Sequence, residues 1–173
     1  MNPPVVVLVG PMGAGKTTVG RLLARRWSVD FTDTDATVEK EAGKSIAEVF
    51  VDDGEEVFRA FERAAAATAL DGSGVVALGG GAVLDSGTRE ALASHTVVFL
   101  NVGLSDTVKR VGLGVGRPLL LGNVRTRVKA LLDERLPVYR SVAVLTVETD
   151  GRTPEEVADT VAAFVETSSV VDG

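Results

Sequence analysis

Cysteine is absent from this 173-residue chain, histidine occurs once, and aromatic residues make up only 5% of the positions. The absence of cysteine excludes disulfide bonds and thiolate metal sites, and His95 alone cannot build a histidine metal cluster. No apolar run approaches membrane-spanning length, and the N-terminus lacks the basic and apolar regions of a signal peptide. We therefore expect a cytoplasmic chain with no membrane partner.

Basic residues are also scarce relative to acidic ones. The 18 lysines and arginines are outnumbered by 24 aspartates and glutamates, which gives a formal net charge of −6. Because non-specific binding to a phosphate backbone needs a basic surface, we expect no nucleic-acid partner. The hydrophobic content of 45% and the chain length instead predict a single domain over 1–173 with a sizeable core, and we expect it to act as a monomer.

Segments typical of strands and helices alternate along the chain. Short runs rich in β-branched residues predict strands at 5–9, 29–33, 74–78, 96–101 and 141–148. Apolar residues at helical spacing predict helices at 16–27, 55–70, about 86–94, 105–111, 125–136 and 154–166. We expect Pro137 to stop the fifth helix and 167–173 to form a loose tail. The alternation predicts an α/β three-layer sandwich, with helices on both faces of a five-stranded, mainly parallel sheet.

The strongest motif is GPMGAGKT at 10–17, which matches the phosphate-binding pattern G-x-x-x-x-G-K-[ST] between a predicted strand and a predicted helix. A chain of this composition would contain on the order of 0.01 such matches by chance. Glycines let backbone N–H groups converge on phosphate oxygens, and the helix N-terminus adds the positive end of its dipole. Lys16 can reach the β- and γ-phosphates, and Thr17 can ligate Mg²⁺. The loop at 10–18 therefore predicts a P-loop NTPase-type fold.

The stretch FTDTD at 31–35 places Asp33 and Asp35 on either side of one threonine. In an extended strand end both carboxylates would face the same region, and two like charges that close need a positive partner. Mg²⁺ at the phosphate loop supplies such a partner. We therefore expect one acid to serve the metal, directly or through water, and the second acid to face something else.

Further motifs follow in a fixed order: GEEVFRAFE at 54–62, GGGAV at 79–83, RPLL at 117–120 and ERLPVYRSVA at 134–143. Together with the phosphate loop and DTD, they resemble the shikimate kinase family over nearly the whole chain, up to RTP at 152–154. The phosphate loop alone is shared with many unrelated enzymes, whereas DTD followed by F-R-x-x-E and G-G-G is far more specific. The resemblance implies transfer of the γ-phosphate of ATP to the 3-hydroxyl of shikimate, in chorismate and aromatic amino-acid biosynthesis.

The resemblance also implies a role for each matching residue. Asp33 would support Mg²⁺ together with Thr17, and Asp35 would bind shikimate hydroxyls and take or orient the proton of the 3-hydroxyl. Arg59 and Arg135 would hold the shikimate carboxylate. Catalysis would rest on Lys16, Asp35 and Arg117. The other implied contacts are with shikimate, through the backbone of Gly79, Gly80 and Gly81, and with ATP, through Gly13, Ala14, Gly15, Lys16, Thr17, Thr18, Arg110, Arg117, Arg152 and Pro154.

Two segments of the chain would complete the site. The resemblance assigns about 34–62 to a small helical insert that binds substrate, shaped by Phe50, Phe58 and Glu62. It assigns about 112–124 to a mobile lid that brings Arg117 to the phosphates. The residues support this assignment, because Arg117 lies among four glycines, as a moving cover would. Phosphoryl transfer also needs cations around the transferred group, and arginine forks match a substrate carboxylate.

Several of these residues also have a plain structural interpretation. Arg59 and Glu62, three positions apart on a helix, could form only a surface ion pair. Arg135 could cap a helix before Pro137, and the triple glycine could be a loop without a ligand. One position departs from the family pattern, because Glu148 stands on the adenine side where aspartate is expected.

Two other functions remain open from the residues alone. One is another small-molecule or nucleoside monophosphate kinase on the same scaffold, which the combination of DTD with GGG argues against. The other is a non-catalytic nucleotide-binding regulator. Against it stand the intact Lys16, Thr17, Asp33 and Asp35, and the lack of any DNA-binding segment or additional domain to be regulated.

Overall fold

The structure, a computed structural model, describes residues 4–103 and 124–172. Its strands are β1 (Pro4–Val9), β2 (Phe31–Asp33), β3 (Gly74–Ala77), β4 (Val97–Asn101) and β5 (Leu145–Glu148). Its α-helices within those ranges are α1 (Lys16–Trp27), α2 (Thr34–Ala42), α3 (Ile46–Asp53), α4 (Glu55–Leu70), α5 (Ser86–Leu92), α6 (Val124–Val142) and α7 (Pro154–Asp172). None of these helices is both long and apolar enough to cross a bilayer.

The strands form one parallel sheet in the order β2-β3-β1-β4-β5. Val7 in the central β1 pairs with Val76 of β3 on one side and with Val97 of β4 on the other. Because all strands run the same way, their carboxyl ends meet at one edge of the sheet. In open α/β sheets this edge is where ligands bind.

Alternate residues of β1 bury themselves in two separate apolar layers. Val6 and Leu8 face a layer that includes residues of α1 and α7. Val7 and Val9 face the opposite layer, to which α4, α5 and α6 contribute. All four side chains are almost completely buried, as a near-continuous β-branched run in a parallel strand requires. The predicted α/β sandwich with helices on both faces is confirmed.

Helices α2, α3 and α4 follow β2 and precede β3 along the chain. Helices α2, α3 and the first part of α4 share an apolar cluster of their own. Val38, Val49, Phe58 and Ala65 are its buried members. A capping box begins α3, because the Ser45 hydroxyl accepts from the Glu48 N–H at 3.1 Å while the Glu48 carboxylate accepts from the Ser45 N–H. This part of the chain is thus a small helical unit beside the main sheet.

The prediction that Pro137 ends a helix was wrong. Proline lacks the N–H that would bond back along the helix, yet α6 continues to Val142. Tyr139 accounts for this, because its ring is 1% exposed and stacks on Phe99 with centroids 4.9 Å apart. Tertiary packing therefore outweighs the local cost of proline. The longer helix also shortens the fifth strand, which begins at Leu145 rather than at 141.

The prediction of a loose tail was also wrong, because α7 remains helical to Asp172. Glu166 explains part of this extension, since its carboxylate accepts from Trp27 Nε1 at 3.1 Å and from Arg26 Nε at 3.0 Å. These contacts hold the C-terminal helix against α1. The helix predicted at 105–111 and nearly all of the predicted lid, 112–123, lie outside the described residues.

Candidate active site

The phosphate loop joins β1 to α1 at the carboxyl edge of the sheet. Gly10 approaches the neighbouring strand so closely that a β-carbon would collide with the Leu100 carbonyl. Gly15 caps α1 with φ of 93°, in the left-handed region that favours glycine. Among residues 4–103 and 124–172, no side chain caps this end of α1, and its first turn contains no acidic residue. The N–H groups of that turn are therefore available to an anion such as phosphate.

Lys16 is folded back onto this loop. Its Nζ donates to the carbonyl of Gly10 at 2.5 Å and to that of Pro11 at 3.1 Å. Burial lowers the pKa of Lys16 to about 8, although the carboxylates of Asp35 and Asp33 partly oppose this shift. A partly buried cation thus lies between the phosphate loop and the two acids, where a bound phosphate would favour its charged form.

Asp33 is the last residue of β2 and the N-cap of α2. Its Oδ1 accepts from the Asp35 N–H at 2.9 Å, and its Oδ2 accepts from Thr17 Oγ1 at 2.8 Å. The expectation that both acids extend from one strand end was wrong, because Asp35 lies in the first turn of α2. The helix begins directly after Asp33, whose carboxylate satisfies one of the free N–H groups of its first turn. Both acids nevertheless line one cavity of about 240 Å³ together with Lys16 and Thr17.

Thr17 and Asp33 are suitable partners for Mg²⁺. The metal usually keeps several waters and is bound through one or two carboxylates together with substrate phosphates. Here a hydroxyl and a carboxylate lie in hydrogen-bond contact beside the phosphate loop, so the pair fits the metal. When bound, the ion would neutralise charge on the phosphate oxygens.

Asp35 is mostly buried, and its environment changes its acidity. Burial raises the pKa of its carboxyl to about 6, and the charge of Lys16 partly opposes that rise. The neighbouring acids Asp33, Glu62 and Glu39 add to the rise. A carboxylate with a pKa near the operating pH is suited to accept a proton from a substrate hydroxyl.

The triple-glycine loop, Gly79 to Gly81, meets three predicted substrate-binding side chains one by one. A β-carbon on Gly79 would collide with Asp35 Oδ1, and one on Gly81 would collide with Arg59 Nη1. A β-carbon on Gly80 would lie 3.5 Å from Arg135 Nη1. The loop thus brings one carboxylate and two guanidinium groups to the same place, and the glycines at 79 and 81 leave room for Asp35 and Arg59 in these positions.

Arg59 is held in place by acids on its own helix. Its Nη1 donates to Glu62 Oε1 at 2.9 Å, and its Nη2 contacts Glu55 at 3.4 Å. Glu62 is 4% exposed, so its ion pair with Arg59 is not the exposed surface pair that the sequence left open. Because the buried Glu62 carboxylate holds the Arg59 guanidinium, it orients that group toward the triple-glycine loop.

Arg135 reaches the same loop from α6. Its Nε is buried and, among the described residues, has no hydrogen-bond partner. A buried donor without a partner costs about 1–3 kcal/mol, and such costs persist where a ligand supplies the missing acceptor. A substrate carboxylate would be such an acceptor.

The opposite side of the phosphate loop borders a second cavity of about 330 Å³. Gly13, Thr18, Thr149, Arg152 and Pro154 are among its lining residues. Arg152 is tethered to α7, where it donates to the Glu156 carbonyl at 3.0 Å and to the Thr160 hydroxyl. Glu148, which stands where the family pattern has aspartate, accepts from the Asn101 side-chain amide. Arg110 and Arg117 lie outside the described residues.

Two residues at the triple-glycine loop were not predicted from the sequence. Thr34 accepts from the Gly79 N–H, and Tyr139 donates to the Gly80 carbonyl. Thr34 stood out only as the residue between the two acids. Tyr139 was hidden beside Pro137, although it is the only tyrosine in the chain and a buried tyrosine hydroxyl normally needs a partner.

The sheet order, the glycine-capped helix and the partly buried Lys16 together define a P-loop phosphotransferase. The acid and the two arginines at the triple-glycine loop indicate a small anionic acceptor that carries a hydroxyl group.

Comparisons with known proteins identify the family. The shikimate kinase family model matches residues 12–166. A shikimate kinase of Salinispora arenicola (strain CNS-205) is 60% identical over 163 residues, covering 94% of this chain and 98% of the relative. One from Thermobifida fusca (strain YX) is 59% identical over 160 residues, covering 92% and 93%. The solved shikimate kinase from Acinetobacter baumannii in complex with shikimate has a TM-score of 0.89 at 35% identity, covering 96% of this chain and 94% of that chain.

The chain belongs to the shikimate kinase family. It is a phosphotransferase with an alcohol acceptor, and the family uses ATP and Mg²⁺ in the biosynthesis of aromatic amino acids.

Proposed function

We propose that the chain transfers the γ-phosphate of ATP to the 3-hydroxyl of shikimate at the site formed by Lys16, Asp35 and the triple-glycine loop. The observation that carries this proposal is the approach of Asp35, Arg135 and Arg59 to Gly79, Gly80 and Gly81, respectively. A carboxylate beside two guanidinium groups matches an acceptor that has a hydroxyl at one end and a carboxylate at the other.

The acceptor carboxylate pairs with Arg59 and Arg135, which orients the ring toward Lys16. The 3-hydroxyl oxygen then forms a bond to the γ-phosphorus, the bond from that phosphorus to the bridging oxygen breaks, and ADP leaves. The hydroxyl proton passes to Asp35, whose raised pKa of about 6 suits this transfer. Lys16 stabilises negative charge on the phosphate oxygens, and the first turn of α1 adds its N–H groups.

Nucleotide and metal contacts complete the proposal. Thr17 and Asp33 hold Mg²⁺, while Gly13 through Thr18 bind the phosphates of ATP. Pro154 and Arg152 lie on the adenine side, which is supported by their position around the second cavity. Arg110 beside adenine and Arg117 on a lid at 112–124 stay predictions. Helices α2 to α4 act as the substrate-binding insert.

We further propose that the chain acts as a monomer. We place this monomer in the cytoplasm, without a nucleic-acid or membrane partner. Size-exclusion chromatography with light scattering would test the oligomeric state, and a stable dimer would contradict it.

A coupled ADP-release assay tests the proposed reaction. Shikimate, quinate, gluconate and nucleoside monophosphates should be compared at equal ATP and Mg²⁺ concentrations. We expect shikimate to give the highest kcat/KM by a wide margin, because nucleoside monophosphates lack a carboxylate for the arginines, and quinate and gluconate hold their carboxylate and hydroxyl groups in a different relative geometry. A higher kcat/KM with gluconate or with a nucleotide would assign the scaffold to a different kinase.

A further inference from the structure

Thr34 lies between the two acids of the site and touches the triple-glycine loop. Its side chain is 0% exposed, and its hydroxyl oxygen accepts from the Gly79 N–H at 2.9 Å. Thr34 is the first residue of α2 and directly precedes Asp35. This hydrogen bond therefore ties the loop to the helical turn that carries the acceptor-side carboxylate.

Tyr139 contacts the same loop from the other direction. Its hydroxyl donates to the Gly80 carbonyl at 2.6 Å, and its buried ring is fixed against Phe99. Burial raises the pKa of the Tyr139 hydroxyl above its usual range, so the group remains a donor at neutral pH. Arg135 lies four residues earlier on α6 and hence on the same face of the helix. This second bond ties the loop to the helix that carries an arginine of the site.

The loop's remaining backbone groups show what these two bonds leave for a ligand. The carbonyls of Gly79 and Gly81 accept from the N–H groups of Ala82 and Leu84 in the turn that follows. The N–H groups of Gly80 and Gly81 make no hydrogen bond within the described part of the chain. They are the loop donors that remain once Thr34 has taken Gly79.

We propose that Thr34 and Tyr139 are positioning residues that clamp the triple-glycine loop between α2 and α6. The clamp sets the spacing between the Asp35 carboxylate and the guanidinium groups of Arg59 and Arg135. This role rests on the proposed function, because its expected effect on activity is a change in the KM for shikimate. Neither residue touches the reacting atoms: Thr34 acts through the loop, and Tyr139 acts through the loop and through the interaction of its hydroxyl with Arg135.

Variants that remove only a hydroxyl test the clamp. Thr34→Val keeps the shape of the side chain, and Tyr139→Phe keeps the stacked ring. We expect each to raise the KM for shikimate about 2- to 10-fold, the factor that corresponds to one ordinary hydrogen bond, with the KM for ATP unchanged. Thr34→Ser retains the hydroxyl and should restore the wild-type KM, whereas a serine variant as impaired as the valine variant would overturn the role of Thr34.

Thr88 offers a matched control at the start of α5. It is 6% exposed, and its hydroxyl donates to Asp85 at 3.2 Å, away from the triple-glycine loop. Thr88→Val should lose stability as Thr34→Val does, yet leave the KM for shikimate unchanged. If Thr34→Val and Tyr139→Phe behave like Thr88→Val while the wild type phosphorylates shikimate, the clamp is wrong and the proposed function stands.

Amide hydrogen exchange at Gly79 to Gly81 reads the clamp without substrate. We expect protection of the Gly79 N–H, the loop amide that is hydrogen-bonded, to fall strongly in Thr34→Val, to fall less in Tyr139→Phe, and to stay unchanged in Thr88→Val. Unchanged protection in the first two variants would overturn the clamp even if the wild type proved inactive on shikimate. Inactivity of the wild type combined with the expected exchange pattern would instead overturn only the proposed function.

Discussion

The proposed site has a donor half, the phosphate loop at 10–18, and an acceptor half, the triple-glycine loop with Asp35, Arg59 and Arg135. The two halves are built in opposite ways. The phosphate loop comes from one continuous segment, 10–18, and presents mostly backbone N–H groups beside Lys16. The acceptor half consists of side chains from three helices, which meet around a loop that follows β3. A phosphate loop that is one continuous segment can be combined with many different acceptor sites. Side chains that converge from three helices instead fit one acceptor molecule. The donor half thus identifies the kind of chemistry, and the acceptor half selects the molecule.

The largest effect should come from removing the cation of the donor half. Lys16→Ala should abolish measurable turnover, because it removes the partly buried positive charge beside the phosphate loop that would stabilise the transferred phosphate. Steady-state ADP release with saturating shikimate measures this loss. Lys129, an exposed lysine paired with Asp133 on α6, gives a control, and its alanine variant should retain wild-type kcat. Near-normal turnover in Lys16→Ala would show that the donor half has been misassigned.

The two acids at the boundary of the halves should fail differently. Asp35→Asn should lower kcat about 10²–10⁴-fold with the KM for ATP nearly unchanged, because it removes the proton acceptor. Asp33→Asn should instead raise the Mg²⁺ concentration needed for half-maximal rate, since Asp33 contacts Thr17 rather than the triple-glycine loop. Titrations of Mg²⁺ and of ATP separate these outcomes, and exchanged phenotypes would mean that the pair is assigned backwards.

The pH dependence sharpens the role of Asp35. Because the pKa of its carboxyl is raised to about 6, the ionised form is lost as the pH falls through that value. We therefore expect kcat/KM for shikimate to fall below about pH 6 in the wild type, and this acidic limb to be absent from Asp35→Asn.

The arginines of the acceptor half should affect binding more than turnover. Arg59→Ala and Arg135→Ala should each raise the KM for shikimate about 10- to 150-fold, because a charge-assisted hydrogen bond contributes roughly 1.5–3 kcal/mol. The KM for ATP should stay unchanged. Arg63, exposed one turn beyond Arg59 on α4, is the matched control, and Arg63→Ala should leave both constants unaltered.

Shikimate methyl ester checks the same assignment from the ligand side. It keeps the hydroxyl groups that face Asp35 but carries no charge for the arginines. It should be a poor substrate of the wild type, and its disadvantage should shrink in Arg59→Ala and Arg135→Ala. Equal rates with ester and acid would make the arginines structural and leave the acceptor unidentified.

The donor half was predictable from the sequence because its information is local. The motif at 10–17, the helix that starts at Lys16 and the strand before it all follow from adjacent residues. Pro137 was misplaced because a tertiary contact overrode local preference: the buried Tyr139 packs on Phe99 and holds a helix through the proline. Asp35 was misplaced for a local reason, because Asp33 caps α2 and so places Asp35 in its first turn. The clamp by Thr34 and Tyr139 was not found, because it depends on contacts 45 and 59 residues apart in the chain.

The smallest expected effect is on stability, because keeping the mostly buried Asp35 carboxylate ionised lowers the free energy of unfolding. The folded chain holds this carboxyl with a pKa of about 6, above its ordinary value near 4, so the folded state binds its proton more tightly than the unfolded state does. Above pH 6 both states are ionised and the folded state bears the full cost of burial; between about pH 6 and 4 that cost disappears as the folded state becomes protonated. Asparagine is neutral throughout, so Asp35→Asn should raise the free energy of unfolding by about 1–3 kcal/mol at pH 8, and the gain should fade as the pH drops to 4. Thermal melts across this range, with Asp71→Asn on the exposed end of α4 as the control, would measure the difference. A lower melting temperature for Asp35→Asn at pH 8 would show that attraction to Lys16 exceeds the cost of burial, and that the acceptor half is stabilised by the charge it uses.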